Sequence, residues 1–121
     1  MTTGAEPAEA LLDLVHRDPR AAIVAASTRL DDASTATERA TALWARGMAR
    51  RELQELDDAR ADLELARSTA TTAGDVVLAA RIAVTESLVE LYLGDEQVAR
   101  ARLESAIEVL DGVDRARAVM Q

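Results

Sequence analysis

The segment Ala59-Arg60-Ala61-Asp62-Leu63-Glu64-Leu65-Ala66 returns forty residues later as Ala99-Arg100-Ala101-Arg102-Leu103-Glu104-Ser105-Ala106, identical at six of eight positions. The flanking punctuation moves by the same interval: Leu53 falls on Leu93, Ala40 on Ala80 and Glu55 on Asp95. Helices rich in Ala, Leu, Glu and Arg align by composition alone, but their breaks have no reason to coincide. A period of forty with two helical stretches in each period therefore restricts this chain more than any single residue does. Each hairpin carries an apolar stripe that it cannot bury by itself, so successive copies must stack. The N-terminal pair, with Ala22 and Ala26, fits a third copy loosely.

Residue usage agrees on the class. Roughly a fifth of the chain is Ala, all 14 basic residues are Arg, and there is no Phe, one Trp and one Tyr. Strand-favouring residues are scarce and helix formers dominate, which predicts an all-α protein. Pro7 reads as a first-turn residue ahead of Ala8, Leu11, Leu12, Leu14 and Val15, and Asp18-Pro19 as a stop followed by a capped start. A second helix is expected to about Leu30, and a third from about Thr35 to Leu53 after the polar break Asp31–Thr35. A fourth carries Leu56, Ala59, Leu63, Ala66 and Ala70. Gly74-Asp75 and Gly94-Asp95 each read as a left-handed C′ residue followed by a cap. The fifth helix is then Val76 to Leu93 and the sixth Glu96 to Leu110, with Asp111-Gly112 as a stop and Asp114–Gln121 as the start of a seventh. Loops this short make consecutive helices antiparallel neighbours.

The spacing of small and large residues resembles the tetratricopeptide repeat. Leu43, Gly47, Ala59, Leu63 and Ala66 occupy the family's relative positions in one copy; Ala83, Ser87, Gly94, Ala99, Leu103 and Ala106 do so in the next. Gln54 stands where the inter-helix turn favours glycine, and the family's large aromatics and its proline near the repeat end are missing. The Ala- and Arg-rich style also resembles the long repeats that many actinobacterial-type proteins place ahead of a caspase-like or regulatory domain. The resemblance implies a right-handed α-α superhelix of antiparallel pairs, in one domain over 1–121. Its repeats would be 7–34, 35–74 and 75–112, with 113–121 a partial cap. It further implies a concave groove lined by the first helix of each repeat, with Thr41, Trp44, Met48 and Arg51 in one copy and Arg81, Val84, Leu88 and Leu91 or Tyr92 in the next. Trp44 and Met48 share one face, being four apart. Two readings of them stay open, an apolar groove for a partner segment and packing against a neighbouring helix. The carboxylate clamp of some family members uses Lys and Asn, and this chain has neither.

Other classes of function find little support. A formal net charge of −8 argues against wrapping a phosphate backbone or an anionic membrane surface. No run of about 18 apolar residues occurs, and Met1–Glu9 carries no basic region of the secretory kind. The absence of Cys excludes disulfides and thiolate metal sites and fits a cytoplasmic protein. His16 is the single histidine, so no Cys/His dyad exists, and nothing recognisable positions Ser27 or Ser34 for a Ser/His/Asp arrangement. His16 reads instead as a dipole partner at a helix C-terminus or a solvated residue. The acidic doublets Asp31-Asp32 and Asp57-Asp58 lack the converging oxygens of a divalent-metal site. We expect no catalytic residue, no cofactor and no metal. Arg39, Arg46, Arg50 and Arg51, followed by Glu52, Glu55, Asp57 and Asp58, predict a surface ion-pair network or, alternatively, a patch for an acidic partner peptide.

The expectation is thus a non-enzymatic protein–protein interaction module, its partner another protein or peptide segment rather than nucleic acid or membrane. The alternative is a structural, homo-oligomerising helical bundle associating through its C-terminal end. Val98, Ile107, Val109 and Leu110 lie on the last full helix, and Val113, Ala116, Val119 and Met120 only begin to cover it, which marks the latter four as a candidate oligomer interface. Continuation in a longer repeat protein, exchange with a second copy, and binding of another protein are three open explanations.

Overall fold

The computed structural model describes the backbone of residues 7–120 and the side chains of residues 9–117. Six helices follow one another: α1 (Pro7–Arg17), α2 (Pro19–Asp32), α3 (Ala36–Glu52), α4 (Leu56–Thr72), α5 (Val76–Tyr92) and α6 (Glu96–Met120). No strand occurs among the described residues.

The helix boundaries follow from local chemistry. Asp18 accepts a hydrogen bond from the Ala21 N–H at 3.1 Å, and Pro19 occupies the first turn, where its missing N–H leaves nothing unsatisfied. Thr35 caps α3 reciprocally: its hydroxyl accepts from the Glu38 N–H at 3.0 Å, while the Glu38 carboxylate accepts from the Thr35 N–H at 3.1 Å. The three later turns share one geometry, twenty residues apart. The Gln54, Gly74 and Gly94 N–H groups donate to Arg51, Thr71 and Leu91 carbonyls, and the next N–H of each turn donates to Arg50, Ala70 and Glu90. That is the Schellman pairing, which needs a left-handed residue after the helix. φ is +62° at Gln54, +78° at Gly74 and +90° at Gly94. The polar Gln54 thus adopts the conformation that glycine supplies in the other two turns.

Helices pack with their chain neighbours; α1 also lies against α3, and α3 lightly touches α5. Among the described residues, no close backbone approach joins α1 or α2 to α5 or α6. The units of packing are adjacent helix pairs, each leaning on the one before. Three apolar clusters result. Leu11, Val15, Ala22, Ala26, Ala45 and Ala49 form the first. Ala40, Leu43, Ala59, Leu63, Ala66, Ala70, Ile82 and Val89 form the central one. Ala80, Ala83 and Ala106 form a much thinner third. Alanine at so many crossings lets the axes approach but buries little area per residue, so stability comes from the number of contacts. At Gly47 the approach is closest: an added Cβ would stand 2.7 Å from both Cγ and Cδ2 of Leu63.

One expected boundary is corrected. Asp111-Gly112 does not end the sixth helix, and no seventh helix starts at Asp114; α6 runs unbroken through both. A lone glycine costs a helix interior about 1 kcal/mol relative to Ala. With no left-handed turn at or after it, Gly112 is carried along. The 113–121 segment expected as a separate partial cap is, as far as Met120, the last stretch of α6.

Candidate interaction surface

The charged side chains sort into those that hold helices together and those that face water. Asp62 on α4, 5% exposed, accepts from Arg46 and Arg50 on α3 at 2.9 Å each. Arg46 also donates to Ser27 of α2 at 3.2 Å. The Asp62 hydrogen bond holds the Arg46 guanidinium charged and pushes its pKa up despite desolvation. Forty residues on, the same positions carry opposite signs. Glu86 and Glu90 replace Arg46 and Arg50 on α5, and Arg102 replaces Asp62 on α6. Arg102 donates to Glu86 at 2.9 Å and lies 3.9 Å from Glu90. Arg67 of α4 also donates to Glu86, and Arg60 reaches Glu90 at 3.6 Å and Asp95 at 3.3 Å. Burial pushes the Glu86 carboxyl above its ordinary range more strongly than the two arginines pull it down.

This revises the expected surface network. Arg46 and Arg50 turn inward to Asp62, sixteen and twelve residues away, instead of pairing with Glu55, Asp57 and Asp58. Of the expected pairings, Arg51 approaches Glu52 at 3.9 Å. Glu64, Glu86 and Glu90 bring carboxylate oxygens within 4.8 Å of one another. Arg60, Arg67 and Arg102 already meet Glu86 and Glu90, so the cluster is an ion-pair core between three helices. His16 lies exposed at the end of α1, 3.8 Å from Glu52.

The eight residues expected to line a partner groove fall into two groups. On α3, Thr41 is half-buried and donates to the Thr37 carbonyl. Trp44 packs on the central cluster, and its indole N–H donates to the Thr85 hydroxyl at 3.0 Å. Met48 packs on the first cluster beside Leu11 and Val15, and Arg51 is half-buried. Trp44 and Met48 thus sit between helices. On α5, Val84 is half-buried, whereas Arg81, Leu88 and Tyr92 are exposed. In the expected oligomer interface, Val113 is half-buried and Ala116 exposed; the side chains of Val119 and Met120 lie outside the described residues.

Most of the exposed large apolar groups lie on the last hairpin, Val24 and Leu65 being the exceptions. Leu88, Leu91, Tyr92 and Ile107 are 42%, 50%, 68% and 45% exposed. A cleft of about 230 Å³ runs between α5 and α6, walled by Val84, Leu88, Leu91, Ala99 and Leu103, with Glu96 and Arg100 at its rim. A larger cleft of about 430 Å³ lies on the α4 side, over Ala79, Ala80, Ala83 and Ala106. Its two arginines, Arg67 and Arg102, are already taken up by Glu86.

Repeat symmetry explains why the first cleft exists. On α4 the residues facing α5 are Arg60, Leu63, Arg67 and Ala70. Their counterparts forty residues later are Arg100, Leu103, Ile107 and Leu110. Leu63 is fully buried in the cluster that joins α3, α4 and α5, while Leu103 is half-buried and Ile107 exposed. The sequence contained this signal, but it needed α4's covered face to be known first.

No protein-family model matches this chain, and comparison with curated proteins and with solved structures likewise finds no match. Among the described residues, no helix is long and apolar enough to cross a membrane.

Proposed function

We propose that this chain is a protein-interaction module built from tetratricopeptide-like repeats, and that its contact surface is the uncovered face of the α5/α6 hairpin. The reading is non-enzymatic and cytoplasmic, and the residues it assigns to contact are Val84, Leu88, Leu91 and Tyr92 of α5 with Leu103 and Ile107 of α6. One observation carries it. The stripe of α4 recurs on α6 with more apolar character, Arg67 giving way to Ile107 and Ala70 to Leu110; among the described residues Ile107 is exposed and Leu103 half-buried, while Leu110 packs in part on Ala80, Ala83 and Ala106. A contiguous apolar patch of this kind marks a site of association. Packing that joins only chain neighbours and next neighbours, the three equivalent turns and the forty-residue period support a stacked array of hairpins rather than a closed bundle. The α3 residues Thr41, Trp44, Met48 and Arg51 are left to helix packing in this reading.

A photo-crosslinking residue placed at Leu91 tests the surface against one at Val24, an exposed apolar side chain far along the chain. Position 91 should yield a crosslinked polypeptide and position 24 none. Equal yields, or none from either, would remove the α5/α6 face as the contact surface.

A further inference from the structure

We infer that the occupant of this face is a second copy of the same chain, docked through α6 against α6′ in antiparallel fashion about a two-fold axis at Ile107. The inference rests on the reading of the α5/α6 hairpin as the contact surface and names its partner. Its basis is the order of residues along one edge of α6. Glu96, Arg100, Leu103, Ile107, Leu110, Asp114 and Arg117 follow at steps of four, three, four, three, four and three. This spacing keeps all seven on one side of a helix and is that of a helix–helix seam. The middle three are apolar, and the outer four read acid, base, acid, base from end to end.

Reversed and laid on itself, the series is complementary at every step. Ile107 meets Ile107′, Leu103 meets Leu110′, Arg100 meets Asp114′ and Glu96 meets Arg117′. A two-fold interface requires this kind of self-matching, because each residue and its partner exchange places across the axis. A parallel or shifted arrangement sets leucine against charge, or like charges together.

Three structural facts agree. Ile107, at the proposed centre, is exposed, and among the described residues Glu96 and Arg100 have only each other as ionic partners, at 3.4 Å. Helix α6 has 25 residues where α3, α4 and α5 have 17. The extension past Gly112 is what carries Asp114 and Arg117 onto the seam. Finally, the same stripe on α4 is covered by an antiparallel helix, α5, with Arg60 meeting acidic groups there. Arg100 is the repeat counterpart of Arg60, so the proposed contact to Asp114′ repeats an interface that the chain already makes internally.

Sedimentation or multi-angle scattering of the full chain over a concentration series is the test. Wild type should give twice the chain mass. Ile107→Asp places a charge twice at the centre and should weaken association by about a hundredfold or more, with helical content unchanged because Ile107 supports no buried cluster. Arg100→Glu and Asp114→Arg should each weaken the dimer by setting like charges together. An equimolar mixture of these two variants should restore it as a heterodimer. At one end of the seam the introduced glutamate then faces the introduced arginine, and at the other the native Asp114 still faces the native Arg100′. A wild-type monomer throughout the series overturns the inference, as does a dimer indifferent to Ile107→Asp. If Leu88→Asp and Leu91→Asp dissociate a dimer that the α6 variants leave intact, the α5/α6 surface survives and the α6 register is wrong. A dimer that survives both sets of variants rejects both.

Discussion

Replacing Gln54 by glycine should make the protein more stable, although the substitution removes a side chain and touches no core residue. Gln54 has φ +62°, in the region where an L side chain meets its own backbone. That conformation costs a non-glycine residue about 1–2 kcal/mol. Glycine removes this cost but enlarges the freedom of the unfolded chain, taking back about 0.4–1 kcal/mol. The net gain is about 0.5–1 kcal/mol. Nothing else in the turn should change: Gln54 is exposed, and the hydrogen bonds to Arg51 and Arg50 come from backbone N–H groups. The structure supplies its own control. Gly94 occupies the same turn one repeat later with nothing within 4 Å of a would-be Cβ, so Gly94→Gln should cost a similar amount by backbone strain alone. Urea unfolding followed by far-ultraviolet circular dichroism is the assay. Midpoints should move in opposite directions for the two variants, with the slopes unchanged. Both should be measured in an Ile107→Asp background, so that association does not make stability depend on concentration. If Gln54→Gly is neutral or destabilising while Gly94→Gln is destabilising, the three turns are not equivalent and the strain argument fails.

Two further predictions concern the interior. Gly47→Ala gains about 1 kcal/mol of helix propensity, but its methyl would meet Leu63 Cγ and Cδ2 at 2.7 Å, and Leu63 is fully buried with no room to swing. Overpacking of this kind costs about 1–3 kcal/mol. We expect a net loss of up to about 2 kcal/mol in urea unfolding, and greater stability than wild type would refute the close crossing. The second uses pH. Because the Glu86 carboxyl titrates above its ordinary value in the folded protein, the folded state binds more protons than the unfolded one in the interval between the two values. Glu86's relative contribution to stability is therefore complete below the unfolded value and declines as pH rises through the folded one. Unfolding of wild type and Glu86→Gln between about pH 4 and 7 isolates that contribution. Wild-type stability minus variant stability should shrink as pH increases, and a difference that grows would show that Arg67 and Arg102 outweigh desolvation.

Helix identity was legible in the sequence because the punctuation was strong: Asp18-Pro19, Gly74-Asp75 and Gly94-Asp95 each combine a conformational requirement with a capping group. Asp111-Gly112 has the same composition but no left-handed turn, and two residues alone do not distinguish these cases. The forty-residue period was equally legible, and with it the small-residue position at Gly47. The partners of charged groups were not. Sequence proximity favoured Arg46 and Arg50 with Glu55 and Asp57, whereas the fold matched them with Asp62 because α4 turns back along α3. Trp44 could not be assigned from its spacing either. Its stripe on α3 has helices on both sides, and only the position of Thr85 on α5 shows that the indole lies between them.

The sign reversal between the two copies bears on how such a repetitive chain reaches one arrangement. Helices α4 and α6 share six of eight residues over 59–66 and 99–106, so α3 and α5 each meet two near-identical candidates during folding. One of the two differences is Asp62 against Arg102. Pairing α6 with α3 would set Arg102 beside Arg46 and Arg50, and like charges brought together out of water disfavour that alternative strongly. Buried ion pairs gain little stability once desolvation is counted, and the raised pKa of Glu86 fits that here. Their physical use in this chain is discrimination between copies. The same contact limits the rotation of α6 about its axis: with Arg102 held to Glu86 and Leu110 packed in part on Ala80, Ala83 and Ala106, Ile107 stays at the surface. The hairpin that specifies the order of the fold therefore also leaves Ile107 exposed, as the proposed two-fold contact requires.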